Sequence, residues 1–294
     1  MTVSFSESFP SSICFSLKGC GNAIAVVDLR SSSHLFTAEE VAGLNVHIPF
    51  DQLMVIHRPH TPRADVFLRI YNVDGSEVGM CGNGLRCVGR VLMHGTSHMS
   101  MTFETTAGLF TCERMDHKNF RVDMASPRFA WEEIPLARRV PNTQLLMFNE
   151  MNLLGKNAAP LGAGFALNMG NPHVVFFIPN QDAYDLLSIG PIIENHELFP
   201  QRVNVSLCVV EDRSHLNLRV WERGAGQTQA CGSGACAAVV AAICKGLADR
   251  HVTVSQKGGD LDIDWRETDG HVLMSGPVVY CGAHPVPEAI AMKF

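Results

Sequence analysis

Two cysteines occupy matching positions in two similar stretches of this 294-residue chain. The stretch Cys81-Gly82-Asn83-Gly84 recurs 150 residues later as Cys231-Gly232-Ser233-Gly234. Both stretches precede residues with helical apolar spacing, so we expect each cysteine at a helix N-terminus. If both copies present their thiols to one carbon, one sulfur can remove a proton and the other can return one to the opposite face. The pattern therefore predicts racemase or epimerase chemistry.

A helix N-terminus suits this chemistry, because its unpaired N–H groups and partial positive charge lower the pKa of a cysteine thiol from about 8.5. The glycines around Asn83 and Ser233 let a ligand approach the backbone, and the free N–H groups bind a carboxylate. We expect an α-carboxylate held by both helix ends, with one sulfur on each side of Cα. A cysteine at a helix start often only packs, but matched positions in two glycine-rich turns favour the catalytic interpretation.

Polar side chains also form three matched pairs, whose members precede the two cysteines by similar numbers of residues. In order of distance from the cysteine, the pairs are Asn72 with Glu222, Gln52 with Asn204, and Asn22 with Asn171. A single Asn or Gln beside a turn usually caps local backbone, but the matching between copies favours a shared cleft for the set. Arg223 is the one fixed cation among these residues. The set predicts a zwitterionic ligand with a second carboxylate.

These residues must be positioned by two copies of one fold unit. The repeat continues beyond the cysteines, since Met124-Ala125-Ser126-Pro127 aligns with Met274-Ser275-Gly276-Pro277 at the same spacing. The length suffices for two cores. We expect an N-terminal lobe over residues 1–127 with a tail at 281–294, and a C-terminal lobe over 128–280.

Short strands dominate both copies, and one helix follows each cysteine. The helices are expected from Cys81 to Gly95 and over Ala235–Lys245. This order predicts an α+β fold of two pseudo-symmetric lobes, each a curved, mainly antiparallel sheet around a central helix. The expected strands are Ala23–Val27, Leu53–Ile56, Val66–Tyr71, Met101–Thr105, Leu109–Cys112 and Phe120–Met124, then Val174–Ile178, Val205–Val210, Leu216–Trp221, Val252–Ser255, Leu261–Trp265 and Val272–Met274.

Composition favours a small-molecule ligand. The net charge of −6 offers no basic surface for nucleic acid. No apolar run approaches about 18 residues, and Met1–Ser12 lacks the features of a signal peptide. We therefore expect a cytoplasmic protein with no membrane partner. In that compartment the ten cysteines are expected to be reduced thiols. The oligomeric state stays open, with a homodimer among the options.

Longer motifs around these residues resemble the diaminopimelate epimerase family. The segment Asn72–Glu77 with Cys81–Cys87 resembles its first signature, and the similarity runs from about residue 15 to 280. The resemblance implies a two-base isomerase without cofactor or metal that interconverts LL- and meso-diaminopimelate. The other matching segments are Gly170-Asn171-Pro172-His173, Arg202-Val203-Asn204 and Glu222 through Ala237.

The resemblance also implies roles for individual residues. Cys81 and Cys231 match the catalytic pair, and His173 and Glu222 match polar neighbours of the cysteines. The residues expected to bind substrate are Asn72, Asn171, Asn204 and Arg223 at the distal end, Gly82, Asn83, Gly232 and Ser233 at the reacting carboxylate, and Asn22 and Gln52 beside them.

The chain departs from the family pattern mainly near Asn22. Ala23 and Ile24 replace the usual Asp and Phe, His47-Ile48-Pro49 stands where a Gly is common before Phe50, and Gln227 replaces a usual Glu. Both cysteines are unchanged.

Three other interpretations fit the sequence less well. A related racemase acting on proline or histidine shares the cysteine pair, but the Cys-Gly-His and Ser-Pro-Cys-Gly-Thr motifs of proline racemases are missing. A nucleotide-binding protein is suggested only by Gly232–Ala237, which fits Gly-x-Gly-x-x-Ala but follows no continuous strand. A zinc module is disfavoured because the chain has no Cys-x-x-Cys pair.

Overall fold

The structure is a computed structural model that describes residue 10, residues 12–148 and residues 161–294. The chain divides into two compact units. Unit 1 comprises Met1–Asp123 and Ser275–Phe294, and unit 2 comprises Met124–Met274. The expected C-terminal lobe, 128–280, includes residues 149–160, which lie outside the described residues.

Unit 1 is built from short strands and two principal helices. Its elements up to residue 123 are β1 (Ile13–Gly19), β2 (Asn22–Asp28), α1 (Ala38–His47), β3 (Gln52–His57), β4 (Val66–Asn72), α2 (Gly82–Met93), β5 (Ser100–Thr105), β6 (Gly108–Arg114) and β7 (Asn119–Asp123).

Unit 2 repeats this order, and the chain then returns to unit 1 within the last long strand. The elements are β8 (Phe165–Asn168), β9 (Pro172–Phe177), α3 (Leu186–Glu194), β10 (Asn204–Asp212), β11 (His215–Glu222), β12 (Gly226–Gln227), α4 (Gly232–Cys244), β13 (His251–Gln256), β14 (Gly259–Trp265), β15 (Val272–Pro285) and α5 (Glu288–Ala291).

The sheet of unit 1 is mainly antiparallel. Strands β1 to β7 follow one another in sequence order, with parallel pairs only at β2–β3 and β4–β5 among the seven. The end of β15 adds to the free side of β1, where Val278 pairs with Gly19 and Pro285 with Ile13. Helix α2 packs on one face, against β1, β2, β3, β6 and β7. Helix α1 covers the other face, where Val41 and Leu44 join the apolar side chains of β2 and β3.

The sheet of unit 2 has the same pairing pattern. Strands β8 and β9 are antiparallel, β9 and β10 parallel, β10 and β11 antiparallel, β11 and β13 parallel, and β13 and β14 antiparallel. Helix α4 contacts β8, β9, β10, β11, β13 and β14, whereas α3 contacts β10, β11 and β12. The described residues therefore show the expected α+β fold, in which α2 and α4 each pack on a mainly antiparallel sheet.

Helices α1 and α3 are additional to the two helices that the sequence predicted after the cysteines. Helix α1 is short, and Gly43 weakens its helical signal, although Thr37 and Glu40 form a capping box at its start. Helix α3 contains Gly190 and Pro191, which locally oppose a helix. Burial of its apolar side chains in the unit 2 core overrides that preference.

Candidate active site

The strand directions and register of unit 1 bring the three predicted polar residues, Asn22, Gln52 and Asn72, to the same end of the sheet. Strand β2 begins at Asn22 and β3 begins at Gln52, and these two strands are parallel. Strand β4 runs antiparallel to β3 and ends at Asn72, directly opposite Gln52. The side chains of the set therefore share one end of the sheet because of strand direction alone.

Cys81 caps helix α2 on this same side of unit 1. Its extended backbone precedes the helix, and its Sγ accepts a hydrogen bond from the Gly84 N–H at 3.3 Å. A Cβ on Gly84 would lie 2.6 Å from Sδ of Met54, two residues after Gln52. A Cβ on Gly19 would lie 3.0 Å from the carbonyl oxygen of Asn83. These contacts seat the helix start against β3 and the β1–β2 turn.

The amides at this edge leave one buried acceptor. The Nε2 of Gln52 donates to Oδ1 of Asn72 at 3.2 Å, and Nδ2 of Asn72 donates to Oγ of Ser76 at 3.1 Å. Oε1 of Gln52 is buried and has no hydrogen-bond partner among the described residues. A buried carbonyl oxygen of this kind suits a ligand that donates N–H groups.

The backbone beside Asn22 is held despite the substitutions there. The Ala23 N–H donates to Oδ2 of Asp51 at 2.8 Å, and the Asp51 N–H donates to the Ala23 carbonyl, also at 2.8 Å. Asp51 therefore fixes the first residues of β2, including Ala23, which stands where the resemblance led us to expect Asp.

Unit 2 assembles an equivalent edge. Strands β9 and β10 are parallel, and His173 at the start of β9 pairs with Asn204 at the start of β10. Strand β11 runs the opposite way and ends at Glu222. Asn171 lies in the turn before β9, which contains Gly170 at φ 90°. The polar residues predicted from the repeat are thus gathered within each unit.

Cys231 has the same N-cap geometry as Cys81, but its side chain is more deeply buried. It caps helix α4, and its Sγ accepts from the Gly234 N–H at 3.3 Å and lies 3.6 Å from Oγ of Ser233. Its own N–H donates to Oε1 of Gln256 at 2.8 Å. Cys231 is only 3% exposed, compared with the half-buried Cys81.

The helix N-terminus alone predicts a lowered pKa for the Cys231 thiol, but the structure indicates the opposite shift. Burial raises the pKa of the Cys231 thiol well above its usual value, and the carboxylate of Glu222 acts in the same direction. The hydrogen bonds from Ser233 and Gly234 oppose this shift but do not overcome it. Cys231 is therefore a protonated thiol at neutral pH. Glu222 is itself held by the hydroxyl of Thr228, which donates to its Oε1 at 2.6 Å.

His173 is a neutral imidazole in a closed environment. It is fully buried, and burial, with a smaller contribution from Arg223, lowers its pKa to about 3. Its Nε2 lies 2.8 Å from Oδ1 of Asn171 and therefore carries the proton. Nδ1 is then an acceptor, and it has no hydrogen-bond partner among the described residues.

The loop that carries Arg223 is fixed by hydrogen bonds on both sides. The Arg223 N–H donates to Oδ1 of Asn204 at 2.9 Å, and Nδ2 of Asn204 donates to the Pro172 carbonyl at 2.8 Å. Glu194 accepts from the Gly224 N–H at 2.8 Å. Arg202, a second cation absent from the predicted set, lies near Arg223 and pairs with Glu194 at 3.3 Å.

Sequence reasoning did not single out two residues that support the helix ends. Gln256 at the end of β13 holds the Cys231 backbone, and no pattern in the sequence pointed to it. Arg86 lies inside α2, is fully buried and donates from Nη2 to Oδ1 of Asn83 at 2.9 Å. The helical spacing puts an Arg among apolar core positions, which is the signal that could have identified it.

The described residues contain no group of three or more His, Cys, Asp or Glu arranged to hold a metal ion. No helix among residues 12–148 and 161–294 is long and apolar enough to cross a membrane.

Comparisons with known proteins agree with the repeat. A family model described as diaminopimelate epimerase matches residues 14–130 and 165–281. A diaminopimelate epimerase from Afipia carboxidovorans is 44% identical over 282 residues, covering 95% of this chain and 94% of the relative. One from Rhodopseudomonas palustris strain HaA2 is 45% identical over 261 residues, 88% of each chain. The solved structure of a predicted epimerase from Pseudomonas aeruginosa has a TM-score of 0.69 at 19% identity, covering 94% of this chain and 99% of that one, which shows the shared fold.

Proposed function

The chain belongs to the diaminopimelate epimerase family, and we propose that it interconverts LL- and meso-diaminopimelate with Cys81 and Cys231 as its acid–base pair. One observation carries the proposal. Each unit places a cysteine at the N-cap of its packed helix, and each Sγ accepts from the backbone N–H three residues later at 3.3 Å. Two identical local geometries on duplicated units are what a reaction with two equivalent thiols requires.

The chemistry needs no group beyond these side chains and the substrate. A thiolate removes the Cα proton, the C–H electron pair moves into the adjacent carboxylate, and the other thiol gives its proton to the opposite face of Cα. The products are the inverted centre and a thiolate on the second sulfur, so the roles exchange in the reverse direction. Backbone N–H groups at both helix ends stabilise the charge that develops on the carboxylate.

The helix ends also suit the reacting carboxylate. Gly82 and Gly232 open the first turn of α2 and α4, where backbone N–H groups have no partner within the helix. Asn83 and Ser233 follow them and add side-chain donors. We assign these four residues to the carboxylate that is attached to the reacting carbon.

The remaining polar residues are assigned to the distal end of diaminopimelate, which carries an ammonium and a second carboxylate. The buried acceptor Oε1 of Gln52 suits the ammonium, and Arg223 supplies the cation for the carboxylate. The other members of this distal set are Asn22, Asn72, Asn171 and Asn204.

Glu222 and His173 are assigned to proton handling in unit 2. Glu222 lies against the Cys231 thiol and favours its protonated form, so Cys231 starts as the acid when Cys81 is the base. The neutral His173 offers Nδ1 as an acceptor at the same edge. We also propose a cytoplasmic location, because a chain with ten cysteine thiols suits a reducing compartment.

Proton exchange tests the proposal directly. The wild-type protein is incubated in deuterated water with LL-diaminopimelate, proline or histidine, and Cα exchange is followed by NMR. We expect exchange and formation of the meso isomer only with diaminopimelate. Faster exchange of proline or histidine would overturn the substrate assignment and favour a related racemase. The Cys244→Ala variant, which removes an exposed thiol, controls for loss of a cysteine.

A further inference from the structure

The guanidinium of Arg86 is a buried cation without a carboxylate partner among the described residues. Arg86 is fully buried in α2, and only Nη2 has a hydrogen-bond partner, Oδ1 of Asn83. Nε and Nη1 have none in the part of the chain that the structure describes. Four thiols interact electrostatically with the guanidinium, in decreasing order Cys87 on α2, Cys20 from the β1–β2 turn, Cys81 at the start of α2 and Cys112 from β6.

A buried guanidinium with two nitrogens unpaired among the described residues lowers the stability of the fold, so a functional reason for Arg86 is expected. Arginine stays protonated in proteins even though burial lowers its pKa. A buried charge requires pairing, and replacing one with an apolar side chain of similar volume is often neutral or stabilising. The position therefore points to an anion that the site itself supplies.

Among the four thiols, Cys81 is placed best to become that anion. Burial raises the pKa of Cys112 to about 12 and that of Cys87 further, so both remain thiols. Cys20 lies in the β1–β2 turn and does not cap a helix. Cys81 is less buried than the other three and accepts a backbone N–H at a helix N-terminus, where a thiolate is stabilised.

Arg86 also fixes the orientation of Asn83. An arginine can only donate hydrogen bonds, so the end of the Asn83 amide that faces it must be Oδ1. The Nδ2 end is consequently the one left to donate to a carboxylate. Without Arg86, the amide could rotate and present an oxygen, which would repel a carboxylate.

The duplication provides an internal comparison. In unit 2, Ser233 occupies the position of Asn83, and Cys236 occupies the position of Arg86. A hydroxyl donates or accepts by rotation and needs no partner to orient it. Glu222 occupies the position of Asn72 and puts negative charge beside Cys231. The two copies therefore surround their cysteines with charge of opposite sign.

We propose that Arg86 is a positioning residue that holds Cys81 as the thiolate before substrate binds and presents the Asn83 amide N–H groups to the substrate carboxylate. This inference rests on the proposed function for the identity of the carboxylate. Its effect on Cys81 is independent of any substrate.

Alkylation of Cys81 tests the inference without turnover. Wild type, Arg86→Met, Arg86→Lys and the matched control Arg90→Met are treated with iodoacetamide across a pH series, and the modified cysteines are identified by peptide mass spectrometry. Arg90 lies on the same helix but at the surface, where it donates to the His117 carbonyl. We expect the alkylation midpoint of Cys81 to move up by about one pH unit or more in Arg86→Met, which slows the reaction about tenfold near neutral pH. Arg86→Lys should recover most of the wild-type rate, and Arg90→Met should match wild type.

Thermal unfolding and kinetics complete the test. Arg86→Met should unfold at or above the wild-type temperature while losing kcat/KM on diaminopimelate, because the residue serves the site rather than the core. An unchanged Cys81 midpoint in a folded Arg86→Met protein overturns the inference, and so does faster labelling of Cys20 than of Cys81 in wild type. If wild type instead fails to turn over diaminopimelate while the midpoint moves as expected, the proposed function fails and the effect of Arg86 on Cys81 stands.

Discussion

Gly234 donates its backbone N–H to Sγ of Cys231 at 3.3 Å, and a side chain at that glycine would crowd the same sulfur. A Cβ there would lie 3.0 Å from Cγ2 of Val220 and 3.2 Å from the same sulfur. Gly234→Ala should therefore displace the thiol, lower kcat more than it raises KM, and cost about 1–3 kcal/mol of stability. Steady-state kinetics and thermal unfolding measure both effects. Gly43→Ala, whose Cβ would meet Cδ1 of Ile290 at an ordinary van der Waals distance of 3.7 Å, is the control and should keep wild-type kinetics.

Removal of either thiol should stop epimerisation. Cys81→Ser and Cys231→Ser each replace a thiol by a hydroxyl, which is a far poorer base at neutral pH, so kcat should fall by orders of magnitude. Conversion of LL- to meso-diaminopimelate, followed by chiral chromatography, provides the measurement. Substantial turnover by either variant would remove the two-thiol mechanism.

The cation of Arg223 should determine the preference for a substrate with two carboxylates. A charge-assisted hydrogen bond contributes about 1.5–3 kcal/mol, so Arg223→Ala should lose about tenfold to a hundredfold in kcat/KM. Arg223→Lys should recover little, because an ammonium lacks the planar pair of donors. The exposed Arg213, which pairs with Asp249, offers a matched control in Arg213→Ala. Unchanged turnover in Arg223→Ala would contradict the distal assignment.

His173 should make the protein less stable in mild acid. Its pKa in the fold is about 3, below the ordinary value of 6.5, so between these values only the unfolded chain binds the proton. Its contribution is complete above pH 6.5 and is lost progressively as the pH falls towards 3, by roughly 2 kcal/mol at pH 5. Urea unfolding at pH 7.5 and pH 5 should show a smaller stability difference for His173→Gln than for wild type. The exposed His98→Gln should behave as wild type, and an equal difference in all three proteins would refute the role of His173.

The sequence predicted the elements that the repeat and apolar spacing define. The strands that carry Gln52, Asn72 and Asn204, and both helices after the cysteines, lie within a few residues of their expected bounds, because alternating burial and glycine stops act locally. Helix α1 was missed although its capping box could be read from Thr37 and Glu40. Helix α3 was missed because burial, rather than local preference, stabilises it around Pro191.

Contacts that depend on packing could not be predicted in this way. The hydrogen bond from Cys231 to Gln256 joins residues on different elements, and nothing in their spacing requires it. The raised pKa of Cys231 follows from how deeply α4 is enclosed, whereas the sequence shows only the favourable helix end. Arg86 resembles a misplaced charge in the sequence, and its meaning depends on the four thiols around it.

Strand β1 pairs along its length with residues 278–285, which come from the far end of the described chain. On the ribosome, those residues are made after every residue of unit 2. The free side of β1 in unit 1 therefore stays unpaired until all the residues of unit 2 have been synthesised. Unit 2 is expected to finish folding first, although unit 1 begins to emerge earlier. The order of synthesis and the order of completion are reversed.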